Sequence, residues 1–161
     1  MERVLNDNDF IVSKTDIKGK ITYVNKIFMD IAEYEEAELL GKPHNIIRHK
    51  DMPKAVFKLL WDRIEAKEEI FAYVMNKTKN NNYYWVYANV TASLDANGNI
   101  IGYYSVRRKV NPKALEVIVP LYQQMLAAEI NGGMSASTQL LQNVLDEKGV
   151  SYDELIISLQ Q

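Results

Sequence analysis

The sequence predicts an α+β domain followed by a helical extension, and three observations predict it. Residues from about 10 to 110 mix short β-like runs with short helices and end in three long strand candidates joined by polar turns. The pair Asn97-Gly98, a strong local hairpin signal, separates the last two of those candidates and makes that part of the sheet antiparallel. Residues from about 112 to 161 carry helical periodicity throughout.

Phe10 to Thr15 is the first β-like run, and Ile21 to Val24 is the second. The turn Asp16-Ile17-Lys18-Gly19-Lys20 between them reads as a hairpin. Asn25 is a good N-cap for a stretch with Ile27, Phe28 and Ile31 at helical spacing. Glu35 to Leu39 is another single turn, closed by Gly41 just past its C-terminus. Asp51-Met52-Pro53 opens the best-marked helix, with Asp51 as cap and Pro53 in the first turn, where a missing N–H costs little. Its apolar stripe is Ala55, Val56, Leu59, Leu60 and Ile64, with Trp61 beside it.

The long strands are Ile70 to Asn76, Tyr83 to Leu94 and Ile100 to Val106. The run Tyr83-Tyr84-Trp85-Val86-Tyr87 reads as a strand covered on both faces. Pro112 starts a helix with Ala114, Val117, Ile118, Leu121, Met125 and Ala128 on one stripe, interrupted or restarted at Pro120. Asn131-Gly132-Gly133 is a break, and a further helix carrying Leu140, Leu141, Val144 and Leu145 stops at Gly149. Ser151-x-x-Glu154 has the form of a capping box for a last short helix.

Composition excludes several function classes. Lys+Arg 19 against Asp+Glu 21 gives a net charge of -2, without the positive excess that sequence-independent nucleic-acid binding needs. No apolar run approaches the roughly 20 residues of a membrane span, and the first residues lack the apolar core of a signal peptide. With Cys 0 there is no disulfide, no thiolate metal site, no Cys-x-x-Cys-His haem attachment and no cysteine–flavin adduct. The expected compartment is the cytoplasm.

No nucleophile–base constellation stands out, and the expectation is a non-enzyme. His44 and His49, the only histidines, are five apart rather than the four that pairs metal ligands on a helix face. Arg48-His49-Lys50-Asp51 puts three basic side chains and a carboxylate just before a helix N-terminus, itself an anion-binding place. That is either a site for an anionic or heteroaromatic ligand or a solvated loop with an Asp cap. Trp61 and Trp85 can wall a planar cofactor or fill the core. Asn25, Asn76 and Asn89 fall at strand ends or within strands, where Asn is depleted. A buried amide there pairs with backbone or with the polar edge of a ligand ring.

Residues Gly41 to Pro53 (Gly-Lys-Pro-His-Asn-Ile-Ile-Arg-His-Lys-Asp-Met-Pro), Trp61, Tyr84 to Val90 and Gly102 to Arg107 together resemble the FAD-binding PAS domain of the aerotaxis and energy-taxis receptor family (Aer-like). The resemblance covers about residues 10 to 130. Lys50 stands where the family usually has Pro, and Asn80-Asn81-Asn82 where it often has an Asn-Gly turn. The resemblance implies a PAS fold over 1-110, a five-stranded antiparallel sheet with short helices on one face, and a C-terminal helical extension over 111-161. It implies FAD held non-covalently between sheet and helices by Arg48, His49, Asp51 and Trp61, with Asn25, Asn76 and Asn89 lining the flavin site.

A full aerotaxis receptor continues into a membrane anchor, a HAMP unit and a signalling coiled coil. The layout here resembles the stand-alone PAS subunit of two-protein energy-taxis systems (CetB-like). The expectation is therefore a cytoplasmic redox sensor, with no nucleic-acid partner and no membrane insertion of its own. It signals flavin redox state to a membrane-bound chemotaxis transducer, with a PAS homodimer or heterodimer as a further association, and that partner places it against the inner membrane. Two alternatives stand beside it: a b-type haem gas sensor with His49 or His44 as axial ligand, and a ligand-free PAS adaptor that dimerises or docks.

Overall fold

The β-branched and aromatic runs assemble into one antiparallel sheet, seen in a computed structural model that describes residues 1–161. Strands β1 (Ile11–Thr15), β2 (Ile21–Val24), β3 (Ile70–Lys77), β4 (Tyr83–Leu94) and β5 (Ile100–Arg108) lie in the order β2-β1-β5-β4-β3. Helices α1 (Lys26–Ala32) and α2 (Glu36–Leu39), a 3-10 turn over His44–Ile47 and α3 (Lys54–Glu65) are inserted between the first hairpin and the meander. They cover one face of the sheet, called here the inner face.

Local chemistry accounts for most boundaries. Asn25 caps α1, its side chain accepting from Phe28 N, and Ser151 caps the last helix by accepting from Glu154 N. Gly41 adopts φ 80° just beyond α2, a left-handed position that a β-carbon resists. Gly102 has no room for a β-carbon, which would stand 2.3 Å from the Thr15 carbonyl oxygen across the β1–β5 pair.

The C-terminal helices α4 (Pro112–Lys148) and α5 (Tyr152–Gln160) wrap around the β3 edge of the sheet. An edge strand leaves a row of carbonyls unpaired, and here tyrosine hydroxyls meet two of them. Tyr122 donates to the Tyr73 carbonyl at 2.7 Å and Tyr152 to the Phe71 carbonyl at 2.8 Å. In return the Tyr73 hydroxyl donates to the Ile156 carbonyl at 2.9 Å. One hydrophobic core of 33 buried residues runs from Leu5 to Ile156 and passes across residue 110 without a gap. No helix is long and apolar enough to cross a membrane.

Two local expectations are corrected. Asp51 does not cap α3. The helix starts at Lys54 after Pro53 and has no side-chain cap of its own. Its first amides are met instead by Glu129 of α4, whose carboxylate accepts from Lys54 N at 3.0 Å and Ala55 N at 3.2 Å. Pro120 does not interrupt α4 either. It lies on the exposed side of the helix, where the carbonyl it leaves unpaired can face water, and the non-helical residue is Gly133 at φ 68°, ψ -165°.

Candidate functional site

The inner face of the sheet and α3 enclose a cavity of about 230 Å³ lined by 21 residues. Protein interiors hold few voids larger than a water molecule, and this one is several times the roughly 30 Å³ that a water occupies in the liquid. Strand alternation supplies one wall, through Val74 and Asn76 of β3 and Tyr103, Ser105 and Arg107 of β5. Helical spacing supplies the other, through Phe57, Leu60, Trp61 and Ile64 of α3. Trp61 stands edge-on to Tyr103, ring centroids 5.4 Å apart, and its six-membered ring closes over Gly19. The lining contains three permanent cations, Lys18, Arg48 and Arg107, and no carboxylate.

Arg107 sets the chemistry of the inner end. It is 3% exposed, no acidic group neutralises it, and burial pulls its guanidinium down to about 10. Its two terminal nitrogens divide the work: Nη2 donates to Ser13 Oγ at 2.7 Å and Nη1 to His44 Nε2 at 3.1 Å. Because a guanidinium can only donate, His44 Nε2 is an acceptor. Ser13, which accepts from Arg107, turns its own proton to the same nitrogen at 3.0 Å. His44 is therefore neutral, with its proton on Nδ1. Burial first, then the charges of Arg107 and Arg48, push its pKa down to about 3.

Three buried polar atoms in this region have no partner: Arg107 Nε, Asn76 Nδ2 and the Tyr84 hydroxyl. Asn76 and Tyr84 sit at paired positions of β3 and β4, and burial raises the Tyr84 phenol to about 12, so it is a donor at neutral pH. Each such orphan costs about 1–3 kcal/mol. All three can donate; Arg107 and Asn76 line the cavity, where a ligand edge rich in acceptors would meet both, while Tyr84 lies behind its wall.

Residues 1–110 match the family model of the PAS fold. The chain belongs to the PAS family. It is 37% identical over 123 residues to the aerotaxis receptor of Escherichia coli (strain K12), a match covering 76% of this chain and 24% of the receptor. It is 22% identical over 100 residues to the nitrogen fixation regulatory protein of Klebsiella pneumoniae, covering 62% of this chain and 20% of that protein. The chain thus spans about a quarter or less of these curated relatives. Among solved structures, a light-oxygen-voltage domain studied with a flavin analogue superposes with TM-score 0.62 at 18% identity, over 71% of this chain and 87% of that one. At that identity it shows the fold alone.

The PAS cavity collects some of the residues that the sequence singled out and leaves others outside. Arg48, Trp61 and Asn76 line it. The Arg48 guanidinium lies 3.8 Å from the centre of the Phe57 ring, and its backbone bridges to Asn76. His49 and Asp51 turn the other way, into a separate depression on the far side of the same segment, with Asp51 N donating to His49 Nδ1 at 3.0 Å. The Asn25 amide is consumed by backbone: it accepts from Val12 N and Phe28 N and donates to the Phe10 carbonyl. Asn89 lies on the outer face and donates to Glu69 at 3.3 Å.

Sequence reasoning did not single out Ser13, Arg107 or Tyr84 as site residues. A signal for Arg107 was present. Tyr103 and Ser105 face inward, so strict alternation turns one of the consecutive arginines 107 and 108 inward with them. Of the two histidines in the haem reading, His44 lines the cavity with its Nε2 accepting from Arg107, and His49 lies outside it.

Proposed function

We propose that this PAS domain is a redox sensor that holds FAD non-covalently in the cavity between the sheet and α3, and that it passes the cofactor's redox state to a membrane-bound chemotaxis transducer by conformational change. The observation that carries the reading is a cavity with three cations, one of them buried, and no carboxylate. That lining suits a dinucleotide with an anionic pyrophosphate, an acceptor-rich ring edge and a flat aromatic body. Arg107 and Asn76 would meet the acceptors, Trp61, Leu60 and Ile64 would flank the ring, and Arg48 and Lys18 would face the phosphates. The relationship to the aerotaxis receptor supports the same assignment. A ligand-free adaptor leaves the orphaned donors of Arg107 and Asn76 on the cavity wall unexplained.

FAD supplies reversible reduction, which changes the charge and hydrogen-bonding pattern of its ring. The chain's own part is to respond. A buried amide or guanidinium facing a changed acceptor must re-pair or move. Movement on the cavity wall reaches α3, and α3 is gripped at both ends by the C-terminal helices. Glu129 of α4 holds its first amides, and Arg63, near its last turn, donates to both carboxylate oxygens of Asp153 in α5 at 3.1 Å. Those helices carry the change outward to the transducer.

Absorption spectroscopy of the purified chain tests the reading, followed by mass spectrometry of the chromophore released on denaturation. The expected result is paired flavin bands that bleach with dithionite, and FAD in the supernatant. Protein that stays colourless after incubation with FAD, or that shows the Soret band of haem, overturns it.

A further inference from the structure

Helix α4 turns back on itself at one residue. Gly133 sits at φ 68°, ψ -165°, a backbone conformation essentially confined to glycine, while the residues on both sides of it are helical. The bend brings Ser137 Oγ to 2.6 Å from Glu129 Oε2. In a straight helix the α-carbons of these two residues would lie about 12 Å apart along the axis. The bend also crowds Gly132, where a β-carbon would stand 2.5 Å from that of Ala136. Residues four apart in a straight helix keep their β-carbons roughly 5–6 Å apart. Two consecutive residues must therefore both lack a side chain for the bend to form. Beside it Ile130 is left 82% and Met134 38% exposed. In a straight helix these two would share one face with Leu126.

Beyond the bend, residues 134–161 are held by side-chain contacts. Leu141 and Leu145 of α4 and Leu155 and Ile156 of α5 are buried, and α5 packs on β3. Asp153 accepts from Arg63, and Gln160 bonds to Asn111 N and the Lys109 carbonyl. We infer that the chain forms a domain-swapped dimer, in which α4 runs straight through Gly132 and Gly133 and residues 134–161 of each copy dock on the β3 edge of the other. Each of these contacts is then remade with the partner copy, so the balance is decided at the hinge. There the exchange releases a conformation that only glycine adopts readily, and short strained hinges invite exchange. Once straight, α4 would carry Lys148 about 22 Å beyond Gly133. The 9 residues of α5 return only about 14 Å of that, so a second copy receives the segment. The two straight helices would cross where Ile130 and Met134 lie, and cover them. The inference does not rest on the flavin reading, because none of these residues lines the FAD cavity.

The test is sedimentation analysis of the full chain, refolded at micromolar and at near-millimolar concentration. Three chains are compared: the parent, Gly132→Ala/Gly133→Ala, and a chain with a short glycine insert after Gly133. In the bent form the segment meets its own surface at an effective concentration on the order of millimolar. The parent is therefore expected to be monomeric at micromolar concentration and to yield dimer near millimolar. Alanine penalises the bend and favours the straight helix. A gain of about tenfold in each of the two chains lowers the dimer dissociation constant by about a hundredfold. The insert relieves the hinge and is expected to stay monomeric at both concentrations. Labelled and unlabelled double variant, refolded together, show how the dimer is built. The contact of Tyr73 with Ile156 is expected to appear between labelled and unlabelled chains in isotope-filtered nuclear Overhauser spectra. A folded double variant that stays monomeric, a dimer in which that contact stays within one chain, or an insert that dimerises as readily as the parent overturns the inference. If the double variant does not fold, Gly133→Ala alone is read in the same way.

Discussion

The cavity under α3 and the hollow under α4 share one wall and carry opposite charge. The segment Arg48 to Asp51 runs between them, sending Arg48 into the first and His49 and Asp51 into the second. The sheet does the same: Asn76 faces the cavity, and its neighbour Met75 faces the hollow. The cavity holds three cations and no acid, while the hollow holds two acids and no fixed cation. A tetrapeptide that reads as one charged cluster in the sequence is thus divided by its backbone: Arg48 is extended and bridges to Asn76, and the residues after it close a turn in which Met52 N donates to the His49 carbonyl at 3.2 Å. Charge in a loop has meaning only after the face of each residue is known.

The largest expected break of that contrast comes from Arg107→Met. A buried cation with no carboxylate partner is a burden on stability, and replacing buried charge by an apolar side chain of similar volume is often neutral or stabilising by about 1–4 kcal/mol. The variant without FAD is expected to melt at or above the temperature of the parent. FAD affinity is expected to fall by about ten- to a hundredfold, the loss of one hydrogen bond to a charged group worth about 1.5–3 kcal/mol. Calorimetry and a fluorescence titration read the two quantities separately. Lower stability with unchanged FAD affinity would make Arg107 a structural residue only.

Acidification attacks the same cluster without a mutation. His44 has a pKa of about 3 in the folded chain against an ordinary 6.5. Between those values the unfolded chain binds a proton there that the native chain does not, so stability rises with pH and falls as pH is lowered through this window. From pH 6.5 to pH 5 the expected loss is about 2 kcal/mol, at about 1.4 kcal/mol per unit. Glu33, Glu38 and Asp95, all held below their ordinary values of 4.5, 4.5 and 3.8, add their own losses only at lower pH. Denaturant melts of the parent and of His44→Gln at pH 6.5 and 5 measure it. An equal loss in both would remove His44 as the cause.

Why one part of the site was legible in the sequence and another was not follows from the range of the interactions. The hairpin at Asn97-Gly98, the Asn25 and Ser151 caps and the break near Gly133 depend on residues a few positions apart, and all stand in the structure as local chemistry dictates. The cap of α3 does not. It comes from Glu129, 75 residues away from Lys54, while the nearby Asp51 that fits the local rule is turned into the acidic hollow. The cluster of Arg107, His44 and Ser13 spans separations of 31 to 94 residues, so no spacing in the sequence marks it. Alternation in β5 hints at Arg107, but nothing local says which partners it meets.

Glu129 gives the next smaller effect, because a cap supplied from another helix can be removed without touching either hollow. Glu129→Ala leaves the first amides of α3 without an acceptor and is expected to cost about 1 kcal/mol, the usual worth of a cap, or about 2–4 °C in a domain of this size. Hydrogen exchange is expected to quicken at Lys54 and Ala55 before it does in the sheet. If those amides keep their protection, the link from cavity to α4 runs through other contacts, and α3 is not the element that relays the signal.

Asn76 and Asn89 give the smallest effects and the sharpest contrast, since the sequence presents them alike, as amides in strands of one meander. Asn76 faces the cavity with an unpaired Nδ2, and Asn89 faces outward with a bond to Glu69 at 3.3 Å. Exposed pairs of that kind contribute a few tenths of a kcal/mol, and surface changes generally stay within about 0.5 kcal/mol. Asn89→Ala is therefore expected to leave both melting temperature and FAD affinity near those of the parent. Asn76→Ala removes an orphaned donor, so the FAD-free chain is expected to hold its stability while FAD binding weakens by about tenfold, as for one lost hydrogen bond of about 1–1.5 kcal/mol. If Asn89→Ala weakens FAD binding as much as Asn76→Ala does, the cofactor is not confined to the inner face, and the division of the two strands into a binding side and a covered side fails.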